Sequence, residues 1–207
     1  MGKYSKLIKD TFVLFAITLV AGIALGVVYE STVDIIAARN EQAKMDAYKK
    51  VYSEAATFES NEVITAKANE AKDTILAENG LKNINVDEAL VAVDTNGTKL
   101  GYVLSVTTGE GYNGNITISM GYSLDGTLKD IKILTISETA GLGLKARDAE
   151  FTNKFTNKQV ESFTVTKAGA TNDSEIDAIS GATITSNAVV DAINAGILFV
   201  TQSAEAE

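Results

Sequence analysis

The 207-residue chain contains no cysteine, no histidine, no tryptophan and no proline. The first two absences exclude the most chemistry. Thiolate-held iron–sulfur clusters, histidine-ligated haem, zinc sites built on Cys or His, and Cys-His or Ser-His-Asp catalysis each lack an obligatory residue. Redox work would therefore need a cofactor that requires neither ligand, and no metal site is expected. Basic residues are few as well. The 18 Lys and Arg stand against 27 Asp and Glu, a net charge of -9, and no run of them forms the basic stripe that phosphate neutralisation requires. Nucleic acid is not expected as a partner. No G-x-S-x-G, S-x-x-K or G-K-S/T sequence occurs, which removes the common serine-hydrolase, penicillin-binding and P-loop signatures.

Charge is also missing from Thr11 to Tyr29, a run bracketed by Asp10 and Glu30. As a helix it rises about 29 Å, enough to cross a bilayer core. A retained anchor is preferred to a cleaved signal peptide. The run exceeds a typical h-region, and Ala21, Gly22, Ala24 and Gly26 lie inside it with no cleavage site following. Lys3, Lys6 and Lys9 place residues 1–10 in the cytoplasm by the positive-inside rule, with 11–29 as a single pass and the remainder extracytoplasmic. Past the anchor 15 basic residues (all but those three lysines) face 26 acidic ones (all but Asp10), so that part should not adhere to anionic lipid.

Residues 30–80 read as a helical linker region and 81–207 as a binding domain. Ala38, Met45, Tyr48, Tyr52 and Ala55 recur at helical spacing within Asp34 to Phe58, and the simplest meaning of that stripe is core. A second helix is expected from Glu62 to Glu78, ending at Asn79-Gly80. Strands follow at 89–94 and 101–107 around Asn96-Gly97, then at 115–122 and 128–136 around Asp125-Gly126, an antiparallel meander. A helix around 148–158, a short strand at 162–166 and an apolar helix from Asn187 to about Val200 complete an α+β class, with the sheet flanked by helices.

Three glycine-bearing stretches invite chemistry. Residues 109–114, GEGYNG, fit G-x-G-x-x-G, yet Ile116, Ile118 and Met120 continue as a strand where a dinucleotide fold needs a helix. They are read as a wide hairpin connection. Residues 138–143, ETAGLG, set two glycines around one leucine, an arrangement equally suited to an aromatic ring face or to a plain strand-to-helix link. Residues 177–187, DAISGATITSN, leave the Thr183 hydroxyl uncrowded beside Gly181 and Ala182 and run into the last helix. A phosphate near that helix start would meet free amides and the positive end of the dipole, while the bland alternative is a helix cap.

Asp177-Ala178-Ile179-Ser180-Gly181-Ala182-Thr183 resembles the D-x-x-S/T-G-A-T/S signature of the FMN-binding domain family, in which FMN is joined through its phosphate to the final Thr or Ser. ETAGLG is similar to that family's E-T-P-G-L-G loop, with Ala140 at the proline position, and Gly111-Tyr112-Asn113-Gly114 to its G-Y-x-G turn. The order of the motifs, the single anchor and the modest length resemble most the Rnf-type branch, whose members are subunits of ion-translocating electron-transport complexes. The related branch in sodium-pumping NADH:quinone reductases is usually longer. The resemblance implies covalent FMN on Thr183, with Ser180, Gly181 and Ala182 as its turn and Thr185 as a phosphate or ribityl neighbour. It further implies Glu138, Thr139, Gly141, Leu142 and Gly143 as the ring-side loop, Asp177 as a recognition element for an FAD-dependent flavin transferase, and neighbouring subunits as electron partners. A stand-alone anchored flavoprotein and a non-redox anchored ectodomain are the alternatives.

Overall fold

The computed structural model describes residues 2–204. Residues up to Ala43 form one compact unit and residues from Lys44 onward a second. Helix α1 runs Gly2–Val51. In the first unit it exposes Phe12, Phe15, Ile17, Val20, Ile23 and Leu25, and it is long and apolar enough to cross a membrane. Two of its threonine hydroxyls bond within the helix: Thr18 Oγ1 donates to the Leu14 and Phe15 carbonyls at 3.1 and 2.9 Å, and Thr11 Oγ1 to Leu7 at 2.9 Å. Such back-bonding is what lets a polar residue sit in hydrocarbon.

The second unit is built on a five-stranded antiparallel sheet in sequence order. Its strands are β1 (Thr57–Ser60), β2 (Ile84–Val93), β3 (Lys99–Gly111), β4 (Gly114–Ser123) and β5 (Leu128–Ile136). Alternation sorts the two faces. Tyr102, Leu104 and Val106 of β3 and Ile116, Ile118 and Met120 of β4 enter the main core, which α5 (Thr183–Ala204) covers. Gly196 lets that helix lie directly on the sheet, since a Cβ there would overlap the Met120 sulfur. By length and composition α5 too could cross a membrane, but 67% of the relevant stretch is buried inside the domain, so it is a core helix. On the opposite face Tyr48, Val51 and Tyr52 pack on Ala92 and Val103. Gly101 and Gly121 make room for them: a Cβ on Gly121 would overlap the Val51 carbonyl oxygen, and one on Gly101 would stand 3.0 Å from the Tyr52 hydroxyl. That hydroxyl donates to the Leu100 carbonyl at 2.8 Å, and burial pushes its pKa up to about 12.

Several expectations hold. The Met45–Tyr48–Tyr52–Ala55 stripe is core, although Ala38 is exposed. Asn79-Gly80 closes α3 (Ile75–Glu78) with paired bonds, Leu81 N–H to Leu76 at 2.9 Å and Gly80 N–H to Ala77 at 3.1 Å, around Gly80 at φ 75°. Other expectations need correction. The helix over 34–58 ends at Val51, because Phe58 reaches Tyr48 from a strand, ring against ring at 5.9 Å, while β1 pairs with β2. The region read as linker thus contributes a strand and a capped helix, α2 (Glu62–Ala71), whose Ile64, Ala68 and Ala71 are core. Asn61 Oδ1 accepts the Val63 and Ile64 amides at its start. The helix over 148–158 shrinks to α4 (Ala149–Thr152) and a 3₁₀ turn, since Asn157 and Lys158 instead bond the backbone of Lys129 and Leu128. A parallel pair, β6 (Thr164–Thr166) with β7 (Glu175–Asp177), follows. The last helix starts at Thr183, four residues before the expected Asn187, because the Ala182 carbonyl already accepts the Ser186 amide at 3.0 Å.

Two outcomes are expected of this packing. Gly121→Ala should lower the denaturant midpoint, by about 1–3 kcal/mol of overpacking, because the Val51 backbone cannot yield as a side chain does. On α5 the half-buried Asp191 has its pKa raised by burial and then by Glu110. A carboxyl whose folded-state pKa is raised opposes folding more as pH climbs from the ordinary carboxylate value through the raised one. Asp191→Asn should therefore raise the melting temperature at neutral pH, and the gain should vanish on acidification below the ordinary value.

Candidate functional site

A cleft of about 580 Å³, within the range that small-molecule sites occupy, opens where the three glycine-bearing stretches meet. The first is the β3–β4 turn. Gly111 pairs with Gly114 across Tyr112 and Asn113, and Gly114 takes φ 113°. This is a tight hairpin with no helix after it. Tyr112 stands at the cleft 70% exposed.

The second is the segment after β5. Glu138 is buried, and its Oε1 accepts the backbone amides of Tyr112 at 2.7 Å and Asn113 at 3.4 Å, tying the loop to the hairpin. Asn113 Nδ2 returns a bond to the Ser137 carbonyl at 2.7 Å. The loop closes on itself through Thr139, whose carbonyl accepts the Leu142 and Leu144 amides at 3.2 Å. Gly143 is the close-approach glycine. A Cβ there would stand 2.5 Å from Thr185 Oγ1 and 2.8 Å from Glu138 Oε2, so its bare α-carbon seats the loop on α5. Leu142, 43% exposed, presents an apolar side chain to the cleft, and its Cδ2 abuts Gly181.

The third stretch is the entry to α5. The Ala182 amide bonds the Ile179 carbonyl at 2.9 Å across Ser180-Gly181, with Gly181 at φ 76°, the conformation for which this turn position selects glycine. Thr183 is the first helical residue and half-buried, Ile184 is 54% exposed, and Thr185 is buried. The residue before the helix is Ala182, which has no side-chain oxygen to offer the unsatisfied amides of the first turn.

The residues singled out from the sequence separate into groups. Glu138, Thr139, Leu142, Gly143, Gly181, Ala182, Thr183 and Thr185 line the cleft. Ser180 and Asp177 do not; they border a neighbouring hollow of about 380 Å³ with Lys145 and Lys154. Asp177 Oδ1 accepts the Ala170 amide at 2.7 Å, holding the loop after β6. Gly141 lines neither: at φ 78° it shapes the loop, but a Cβ on it would meet nothing within 4 Å among the described residues, so crowding is the property of Gly143. Ile184 was not singled out, since a helix begun at Asn187 leaves it outside; begun at Thr183, it is the apolar residue off the core face. Ser186, also passed over, lies inside the turn and donates to the Ala182 carbonyl.

The FMN-binding domain family matches residues 111–197, a span that contains the second and third stretches and the first from Gly111 onward. The G subunit of the Na(+)-translocating ferredoxin:NAD(+) oxidoreductase complex of Acetobacterium woodii is 34% identical over 91% of this chain and 89% of its own length. The G subunit of the proton-translocating ferredoxin:NAD(+) oxidoreductase complex of Clostridium ljungdahlii is 30% identical over 93% of this chain and 95% of its own. Among solved structures, the C subunit of the Na(+)-translocating NADH-quinone reductase from Parabacteroides distasonis covers 69% of this chain and 92% of its own at 20% identity, with a TM-score of 0.47. The chain belongs to the G-subunit family of ion-translocating oxidoreductase complexes, and it carries that family's FMN-binding domain.

The two loop glycines should respond differently to substitution. Gly143→Ala should push the loop off α5 and loosen the Glu138 tie, seen as faster hydrogen exchange at the Tyr112 amide. Gly141→Ala should cost about 1–2 kcal/mol for its left-handed backbone and leave that amide protected.

Proposed function

We propose that this chain carries FMN as a phosphoester on Thr183 and relays electrons between neighbouring subunits of a membrane complex that couples ferredoxin oxidation and NAD reduction to ion movement. The observation that carries this reading is the convergence of three sequence-distant stretches on a cleft at the start of α5. The residues fit the group. The backbone amides at the head of α5, which Ala182 leaves without a side-chain oxygen, suit a phosphate, and the dipole of a 22-residue helix favours its charge. Gly181 and Gly143 keep the walls low, where a Cβ would meet Leu142 or Thr185. Leu142, Tyr112 and Ile184 offer apolar surface to a planar ring. When bound, the flavin supplies the electron chemistry; the protein's part is to hold it and tune its potential by burial and hydrogen bonding. A chain without Cys or His can do redox work on those terms.

Attachment needs a second protein. A threonine hydroxyl is a poor nucleophile, and this chain has no histidine to activate it. An FAD-dependent flavin transferase would supply both base and donor. The Thr183 oxygen forms a bond to the FMN phosphorus of FAD, the bond to AMP breaks, AMP leaves, and the hydroxyl proton passes to the transferase. The lysines before the anchor favour an inside amino terminus, with the FMN domain on the far side of the membrane.

Expressed alone in a host lacking the transferase, the chain should keep its unmodified mass; co-expression should add one FMN less one water, mapped to Thr183. Thr183→Ala should abolish the adduct and change stability by no more than about 1 kcal/mol, while Thr183→Ser should remain a substrate. Covalent flavin persisting in Thr183→Ala would overturn the assignment. Topology has its own test. The chain has no cysteine, so Ser60→Cys, at an exposed position, is a single reporter, and a membrane-impermeant thiol reagent should label it in intact cells. Labelling only after lysis would reverse the orientation.

A further inference from the structure

The turn before α5 is held from the inside by one side chain. Ser186 is fully buried, yet its hydroxyl touches both ends of the turn: it accepts the Ile179 amide at 2.9 Å and donates to the Ala182 carbonyl at 2.9 Å. The Ser186 amide bonds the same carbonyl at 3.0 Å, and the Ala182 amide bonds Ile179 at 2.9 Å. Both polar groups of Ala182 and the entry to the turn at Ile179 are thereby fixed. Thr183 follows Ala182 directly, so the direction in which its Cα–Cβ bond leaves the backbone follows from this clamp. A serine four residues into a helix usually back-bonds within its own helix. Here it also receives an amide seven residues earlier, before the helix begins.

We propose that Ser186 is a positioning residue for flavin attachment: its buried hydroxyl holds the Ser180-Gly181-Ala182 turn so that the Thr183 hydroxyl is presented to the transferase in a reactive geometry. The proposal rests on the reading of Thr183 as the attachment residue. Since the chain has no histidine, activation falls to the transferase, and what the substrate chain contributes is the placement of one oxygen. Placement is worth much, because a displacement of about 1 Å at a reacting centre can cost on the order of 10²-fold in rate. Without the Ser186 hydroxyl, the buried Ile179 amide loses its acceptor and the glycine turn samples other conformations; the attachment signature would be present but not held.

The test uses the full-length chain, purified unmodified in detergent and incubated with active flavin transferase and FAD, with covalent flavin followed by mass. Ser186→Ala should lower the initial rate about ten-fold or more, through the turnover number rather than KM, and still reach the wild-type mass on Thr183 given time. Ser186→Cys, nearly the same size and a weaker hydrogen-bonding group, should fall between the two, and it carries the test if Ser186→Ala does not fold. Asn194→Ala is the control for general loosening. Its side chain bonds the Phe163 amide at 2.8 Å and carbonyl at 2.9 Å, elsewhere on α5, so it should lower the melting temperature without slowing attachment. A Ser186→Ala chain modified within about two-fold of the wild-type rate, or an Asn194→Ala chain slowed as much as Ser186→Ala, would overturn the proposal and leave the Thr183 assignment intact. A wild-type chain that stays unmodified would overturn both.

Discussion

Glu138 and Gly143 together make the cleft possible. The buried carboxylate reaches across from the end of β5 to take two backbone amides of the β3–β4 hairpin, while Gly143, five residues on, brings the same loop against Thr185 at the head of α5. A hydrogen bond to a charged acceptor contributes about 1.5–3 kcal/mol net, and a buried one left unmatched costs at least as much, so the tie is hard to break halfway. A side chain at Gly143 would force the loop and the helix apart. Hairpin, loop and helix start are thus one mechanical unit, although 25 to 70 residues separate them.

The sheet beneath that unit has both faces committed. One receives α5, seated through Gly196 on Met120, and the other receives the end of α1, seated through Gly121 beneath Val51. The core helix and the site helix are the same element: Ala188, Val189, Ala192 and Ile193 hold α5 in the core, and Thr183 to Thr185 face the cleft at its start. A change in the packing of α5 therefore moves the site. Two apolar helices of this chain solve different problems: α1 exposes its apolar surface over the stretch before Lys44, whereas α5 buries most of its own in the domain.

The chemistry follows from scarcity. Without Cys or His the chain supplies no metal ligand of those types. What it contributes is shape and polarity: low glycine walls, an apolar leucine, backbone amides at a helix start, and a turn whose conformation is stapled by one buried serine. Stored geometry of this kind is cheap to keep, because every group that makes it is already part of the fold.

Class, the long apolar first helix, the meander and the three motifs were legible in the amino-acid order alone. Those features rest on local signals: an uncharged run, period-two alternation in β4 and β5, Asn-Gly and Asp-Gly turns, and short signatures readable letter by letter. Local signals failed where a distant partner outweighed them. Phe58 continues a helical stripe and yet packs on Tyr48 from a strand, and Asn157 and Lys158 leave a helical pattern to pair with β5. Thr185 and Ser186 read as residues leading up to a helix because hydroxyls favour caps, whereas Ala182 starts the helix before them. Tertiary packing alone settled that Gly143, not Gly141, is the crowded glycine, that Asp177 and Ser180 border a separate hollow, and that Ser186 holds the turn. Each of those depends on which backbone passes within a few ångströms of another, a distance set by pairings between segments that no local window of sequence contains.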